Sequence, residues 1–238
     1  MASRRAADAL IASGSVRVNG KRPPAAGLMI EPQQDVVTVD GRRVAPPREH
    51  RYVMLNKPGG AITTARDEAS RRTVLDVIGD AGAHGHRLFP VGRLDADTTG
   101  LLLLTDDGDL SYRLTHPRYK VPKEYMVTVA GVPTEDDLEA LRHGVRLDDG
   151  VTAPAQVELL HAGRGDRDSG RAHLRFVIRE GRQRQVRRMV QAVGHKVVTL
   201  RRTALGPLRL SRLRAGEWRV LSPREVAALR RAAGLEPR

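Results

Sequence analysis

Val91-Gly92-Arg93-Leu94-Asp95-Ala96-Asp97-Thr98-Thr99-Gly100-Leu101-Leu102-Leu103-Leu104 sets an arginine and an aspartate two residues apart, in a polar turn that runs into four consecutive leucines. Along an extended chain, alternation points Arg93 and Asp95 to the same side. The apolar run behind them can anchor the turn in a core and so hold a reactive carboxylate still.

Downstream of this stretch, Lys123 to Ala130 alternates as a strand, with Tyr125, Val127 and Val129 on one face. Ala172 to Arg179 alternates too, Leu174, Phe176 and Ile178 inward and His173, Arg175 and Arg179 outward. Gly163 to Gly170 reads as the hairpin loop before it. Upstream, Tyr52 to Leu55 is a strand that stops at Asn56-Lys57-Pro58-Gly59-Gly60. Helices are expected at Asp109 to Thr115, Thr134 to Arg142, Gln183 to Val193 and Pro223 to Ala233. The last opens with a capping box, Ser222 and Glu225, and carries Pro223 at its first position. Strands outnumber helices and the connections are short, which favours antiparallel pairing. The expected class is α+β, a mainly antiparallel or mixed β-sheet with a sheet-based cleft.

The first fifty residues read differently. Residues 3–14 form a short helix with Ser3 as N-cap and Gly14 at its end. Two hairpin signals follow, Val16-Arg17-Val18 with Asn19-Gly20 and Val36 to Val39 with Asp40-Gly41. Arg4, Arg5, Arg17, Lys21, Arg42 and Arg43 decorate this small α/β unit. Ala45-Pro46-Pro47-Arg48-Glu49 is the best linker. The expected division is 1–47 and 50–238.

Charge points to a polyanionic partner. The 238 residues carry 41 Lys and Arg against 28 Asp and Glu, a formal net of +13. Residues 171–238 hold 18 cations against 4 acids, whereas residues 51–170 hold 15 against 19. An acidic middle between basic ends suggests a reaction centre gripped to phosphates from two sides. There is no cysteine, so no disulfide framework or thiolate zinc site is expected. His84 and His86 lack acidic partners at ligand spacing, and no metal is expected. No signal peptide or membrane-spanning run is evident, and a cytoplasmic protein is expected.

The quoted stretch resembles the GRLDxxTxGL signature of pseudouridine synthases, in the branch that carries an S4 RNA-binding domain and modifies bacterial ribosomal RNA. Further pieces recur in order. Asn56-Lys57-Pro58-Gly59 resembles the family's first catalytic-domain motif, Lys123-Glu124-Tyr125-Met126-Val127 its tyrosine motif, and Gly181 to Met189 its arginine motif. The N-terminal unit resembles the latter part of an S4 domain whose first helix is missing. The resemblance implies that Asp95 is the essential carboxylate, acting at ribose C1′ as nucleophile or at C2′ as base. Tyr125 would stack on the target base, an aromatic face that holds a planar ring without fixing its rotation. Arg187 would pair with Asp95 and keep it ionised. Asp97 lies outside the obligatory pattern and reads as structural.

Arg93 resembles the arginine that fills the space of a flipped base; on chemistry alone a phosphate contact is equally good. Lys57, Lys123, Arg184, Arg188, Arg4 and Arg5 complete the expected RNA contacts. The family commonly has Asn where Gln183 stands. The implied reaction is isomerisation of uridine to pseudouridine, without cofactor, by a monomer acting on ribosomal RNA or a precursor particle. The run through Gly194-His195-Lys196-Val197 looks more like enzymes of the large-subunit 23S RNA than of the 16S RNA. A non-catalytic RNA-binding or assembly factor is the alternative, and it gives no use for Asp95, Tyr125 and Arg187 together.

Overall fold

A computed structural model describes residues 4–24, 27–31, 34–45, 49–64, 69–163 and 170–236, with contacts partitioned into two units, Met1–His50 and Arg51–Arg238. The first unit holds α1 (Arg4–Ala12) and an antiparallel sheet of β1 (Val16–Val18), β2 (Val37–Val39) and β3 (Arg42–Arg43), in that order. Asn19-Gly20 and Asp40-Gly41 both take positive φ at each residue, the turn conformation that favours Asn or Asp before Gly. The second turn closes β2 onto β3. The first closes only a single bridge, Val18 to Lys21, because β1 takes β2 as its partner. Ser3, residues 46–48 of the expected linker and residues 164–169 of the expected loop lie outside the described residues.

The second unit contains β4 (Tyr52–Lys57), α2 (Val74–Ala83), β5 (Phe89–Pro90), β6 (Thr99–Thr105), α3 (Gly108–Thr115) and β7 (Lys123–Ala130). It continues with α4 (Glu135–His143), β8 (Arg146–Leu147), β9 (Gly150–Val151), β10 (Gln156–Ala162), β11 (Arg171–Ile178) and α5 (Gln185–Ala192). It ends with β12 (Lys196–Leu205), β13 (Leu208–Arg209), β14 (Trp218–Val220) and α6 (Pro223–Ala232). One large sheet runs β10-β11-β7-β12-β6-β4-β14, with β5 on β6 and β13 on β12. All its pairings are antiparallel except β12 with β6. The sheet is therefore mixed and mainly antiparallel, as the short connections predicted.

The four leucines explain why the sheet is layered as it is. Leu101 and Leu103 enter one core with Leu110 and Leu114 of α3 and Leu229 of α6, while Leu102 and Leu104 enter another with Val74 and Ile78 of α2. A strand covered on both faces reads as a continuous apolar run. Each of these leucines is fully buried and contributes about 1.5–3 kcal/mol. β7 keeps its alternation because Tyr125, Val127 and Val129 are buried and Glu124, Met126 and Thr128 are only half-buried.

Besides the short strands β5, β8, β9, β13 and β14, two longer elements went unread. α2 opens with a capping box from Thr73 and Asp76, but Gly79 sits inside it at φ 56, which breaks the helical pattern. β12 is the longest strand, yet its register against β7 shifts twice, between Val197 and Thr199 and between Arg202 and Ala204. Each shift interrupts the period-two signal.

Where β6 and β12 run parallel, Arg202 lies opposite Gly100. Gly100 has φ +107, and a Cβ there would sit 2.2 Å from the Arg202 carbonyl oxygen. No L side chain fits without parting the two strands. Gly100→Ala should therefore lower unfolding stability by about 3 kcal/mol or more in urea melts; a loss below about 1 kcal/mol would contradict the close approach.

Candidate active site

The turn that carries Asp95 is stapled from below. Leu94 is buried, and its neighbours Arg93 and Asp95 remain on the surface of a shared cavity of about 570 Å³. Thr98 N–H donates to Asp95 O at 3.0 Å, so the backbone here is a tight turn rather than an extended strand. Arg93 and Asp95 do face one cavity, but it is Leu94 plunging into the core that arranges this, not strand alternation. Thr63 holds Leu94 through both backbone groups, its Oγ1 donating to Leu94 O at 2.7 Å and accepting from Leu94 N–H at 3.2 Å. Gly60 N–H donates to Ala96 O at 2.8 Å.

Lys57, the last residue of β4, completes the staple. It is fully buried, and its Nζ donates to Pro58 O at 3.1 Å, Ala96 O at 3.2 Å and Thr98 O at 2.9 Å. An ammonium has three donors, and all three are used. The expected RNA contact at Lys57 is corrected accordingly: a group with no free donor and no exposure does not reach a phosphate. Burial pushes its pKa down to about 8, opposed by the charges of Asp97 and then Asp95.

Tyr125 and Lys123 come to the same cavity from β7, two residues apart on one face. Tyr125 is 8% exposed, belongs to the core cluster and still lines the cavity. Lys123 donates to Val121 O at 3.2 Å, and its pKa is brought down to about 8 by burial and then by the Arg202 charge, against Glu180.

The arginines of the Gly181 to Met189 segment divide unexpectedly. α5 starts at Gln185, two residues later than expected, because Arg184 takes a left-handed φ of 48° at the N-cap. Val186, Met189 and Val190 are its buried stripe, with Val193 packed beside them. Arg187 pairs with Asp97 rather than with Asp95. Its Nη2 lies 3.2 Å from Asp97 Oδ2 and donates to Asp97 O at 3.3 Å, while the guanidinium beside Asp95 is that of Arg184, at 3.7 Å. Arg184 also approaches Asp97 at 3.5 Å. The tight turn at Asp95–Thr98 swings Asp97 towards α5, and so Asp97 takes the structural pairing expected of its neighbour.

Arg188, expected at a phosphate, is engaged by Asp149 at 2.8 and 2.9 Å and by Asp148 at 2.5 Å. Those aspartates form the turn between β8 and β9. Arg188 holds the Asp149 carboxyl down at about 2, helped by Arg182. A guanidinium with two carboxylates is not an open phosphate site. The side chains of Arg4 and Arg5 lie outside the described residues. His86, read as lacking an acidic partner, has Nδ1 2.8 Å from Asp106 Oδ2.

One charged cavity residue escaped the sequence reading. Arg202 on β12 is Cα-paired with Tyr125 and lines the cavity at 3% exposure. Its signal was hidden by the bulge that follows it.

With this geometry, comparison with known proteins is decisive, since residues 51–192 match the RNA pseudouridylate synthase family. The chain belongs to that family. It is 40% identical over 237 residues to an uncharacterized RNA pseudouridine synthase of Aquifex aeolicus, covering 99% of this chain and 92% of the relative. It is 41% identical over 233 residues to the ribosomal large subunit pseudouridine synthase B of Bacillus subtilis, covering 98% and 92%. A crystal structure of a pseudouridylate synthase superposes with TM-score 0.68 at 35% identity, over 95% of this chain and 94% of that one. This pseudouridine synthase is thus an isomerase, with a cavity whose described lining offers a single carboxylate, Asp95.

Lys57→Met would leave three carbonyls of the synthase without their donor. It should cost about 2–4 kcal/mol of stability and slow turnover about 10-fold or more through a displaced carboxylate. Lys57 holds its proton less tightly folded, at about 8, than unfolded, at 10.5. Its share of the stability therefore rises with pH between those values. Urea melts from pH 7 to 10 should show the gap between wild type and variant widening; a gap that narrows would contradict the assigned burial.

Proposed function

We propose that this synthase isomerises one uridine of large-subunit ribosomal RNA, with Asp95 as the reacting carboxylate. The observation that carries the reading is the convergence of Asp95 and Tyr125 on one cavity, with Arg184 beside the carboxylate. The 23S target is supported by the Bacillus subtilis relative, whose name specifies the large subunit.

The reaction changes no formula. The ribose C1′–N1 bond breaks, C1′–C5 forms, the hydrogen on C5 leaves and N1 gains one. A stacked uridine is out of reach, so the nucleotide is flipped into the cavity or taken from a loop. Tyr125 then stacks on the base and Arg93, exposed at the rim, takes the vacated space or the adjoining phosphate. Attack at C1′ and proton removal at C2′ both begin from the Asp95 carboxylate, which has the Arg184 guanidinium 3.7 Å away. Arg187 acts at one remove, holding Asp97 and with it the turn.

The N-terminal unit is assigned as an S4-like RNA-binding domain over residues 1–47, preceding a catalytic domain over 50–238. Its helix followed by two turn-closed strands supports this, as does the set Arg4, Arg5, Arg17, Lys21, Arg42 and Arg43. The assignment places the enzyme in the S4-containing branch, working as a monomer in the cytoplasm on ribosomal RNA or an assembling particle.

Carbodiimide mapping of ribosomal RNA from a deletion strain tests the reaction. One 23S site should vanish on deletion, return with wild type and stay absent with Asp95→Asn. Full restoration by Asp95→Asn would overturn the catalytic assignment, and a site in 16S RNA would overturn the target. Replacing Arg4 and Arg5 by Gln tests the S4 assignment separately. It should weaken RNA binding, with the slope of log affinity against log salt shallower by about 1.5, and leave turnover at saturation within about two-fold. An unchanged slope would remove the assignment.

A further inference from the structure

Five cationic side chains and one carboxylate line the cavity among the described residues: Arg93, Lys123, Arg182, Arg184 and Arg202 with Asp95. Three of the five are accounted for. Arg182 is bound to the β8–β9 turn, with Asp149 Oδ1 at 3.1 Å and Val151 O at 2.6 Å. Arg184 sits against Asp95 and Asp97. Arg93 is exposed at the rim. Arg202 and Lys123 have no carboxylate within ion-pair distance among the described residues.

Arg202 is the sharper case. It is 3% exposed, its Nε donates to Leu101 O at 2.7 Å, and its Nη2 is buried with no hydrogen-bond partner among the described residues. Thr98 Oγ1 and Arg187 Nε share that condition, so three of the four such atoms surround this cavity and its turn. Buried arginines are normally paired, and leaving a buried charge-bearing donor unmet is costly. Anchoring β12 to β6 through Leu101 would need one donor; a neutral side chain could supply it. A guanidinium held there beside Tyr125, with a second cation diagonal to it on β7, serves something negative that arrives with the substrate.

We propose that Arg202, with Lys123, stabilises the negative charge of uracil while it is detached from ribose. The inference rests on the reading of Asp95 as the reacting carboxylate. When C1′–N1 breaks, its electron pair stays with the ring and spreads from N1 onto O2 and O4. C1′ is meanwhile held by the Asp95 oxygen, or the sugar has lost its C2′ proton to that group. The ring turns, C5 bonds to C1′ as the Asp95 oxygen departs or as C2′ takes its proton back, the C5 hydrogen leaves as a proton and N1 is protonated. From cleavage of C1′–N1 until C5 bonds to C1′ the ring is an anion, and no covalent link restrains it. Guanidinium N–H groups in a dry cavity meet carbonyl oxygens whose charge grows only after cleavage, the differential contact that accelerates a reaction. A planar fork also suits a planar ring with two carbonyls.

The test uses the full chain and RNA carrying either uridine or 5-fluorouridine at the target. Fluorine withdraws electrons and makes the ring a better leaving group, so cleavage should need the cations less. Single-turnover loss of the N-linked nucleoside, measured after digestion of the RNA, reports the glycosidic step for both. Arg202→Gln should slow the uridine reaction about 100-fold, slow the 5-fluorouridine reaction no more than about 10-fold, and leave RNA affinity within about 3-fold. Arg202→Lys should restore part of the rate. Lys123→Met, on a partly exposed residue, gives the same differential at smaller scale should Arg202→Gln fail to fold. Equal losses on both RNAs would mean a merely structural part, and unchanged rates would mean none; either overturns the proposal. Asp95→Asn measured alongside separates the two readings: activity there sinks the parent assignment, whereas its silence with equal Arg202 losses sinks this one alone.

Discussion

A buried ammonium with its three protons spent on three carbonyls is the constraint on which the reactive turn depends. Lys57 binds Pro58, Ala96 and Thr98 at once and thereby ties the end of β4 to the turn that follows Asp95. The cost is a lysine pushed down to about 8 by burial. The return is a carboxylate whose backbone cannot drift. Thr63 and Gly60 add further ties, and Gly100 lets β12 approach within backbone contact directly behind the turn. Asp95 itself remains 35% exposed on its side chain and lines the cavity.

The charge of the chain is distributed with a purpose that a net count hides. The carboxyl-terminal third is strongly cationic, but on α5 and just before it much of that charge is consumed internally. Arg188 and Arg182 hold the β8–β9 turn through Asp148 and Asp149, and Arg187 holds Asp97. These pairs are partly exposed and individually weak, yet each fixes an element that walls the cavity. Among the described residues, the cavity cations with no carboxylate at ion-pair distance are Arg93, Arg202 and Lys123.

Much of this was legible from residue order, for physical reasons that differ by element. β7 and β11 showed themselves because one covered face imposes strict alternation, and α6 because Ser222, Pro223 and Glu225 form a local start signal. Short local patterns singled out Asp95 and Tyr125, and the structure brings both to one cavity. What was missed depends on contacts between distant residues. Nothing local says that Arg187 meets Asp97 rather than Asp95, since one tight turn decides it. Arg202 was invisible because the bulge at 202–204 blurred its strand, and Lys57 passed for an RNA contact because burial is not written in Asn-Lys-Pro-Gly. Gly79 concealed α2 in the same way.

The division of labour between the two aspartates is the most exposed part of the account, and release of tritium from RNA labelled at uridine C5 measures it directly. Asp95→Asn should release none above background. Asp97→Asn, which loses the carboxylate that anchors Arg187 and approaches Arg184, should release a full equivalent at a rate reduced about 10-fold. A silent Asp97→Asn beside an active Asp95→Asn would contradict the account at its centre.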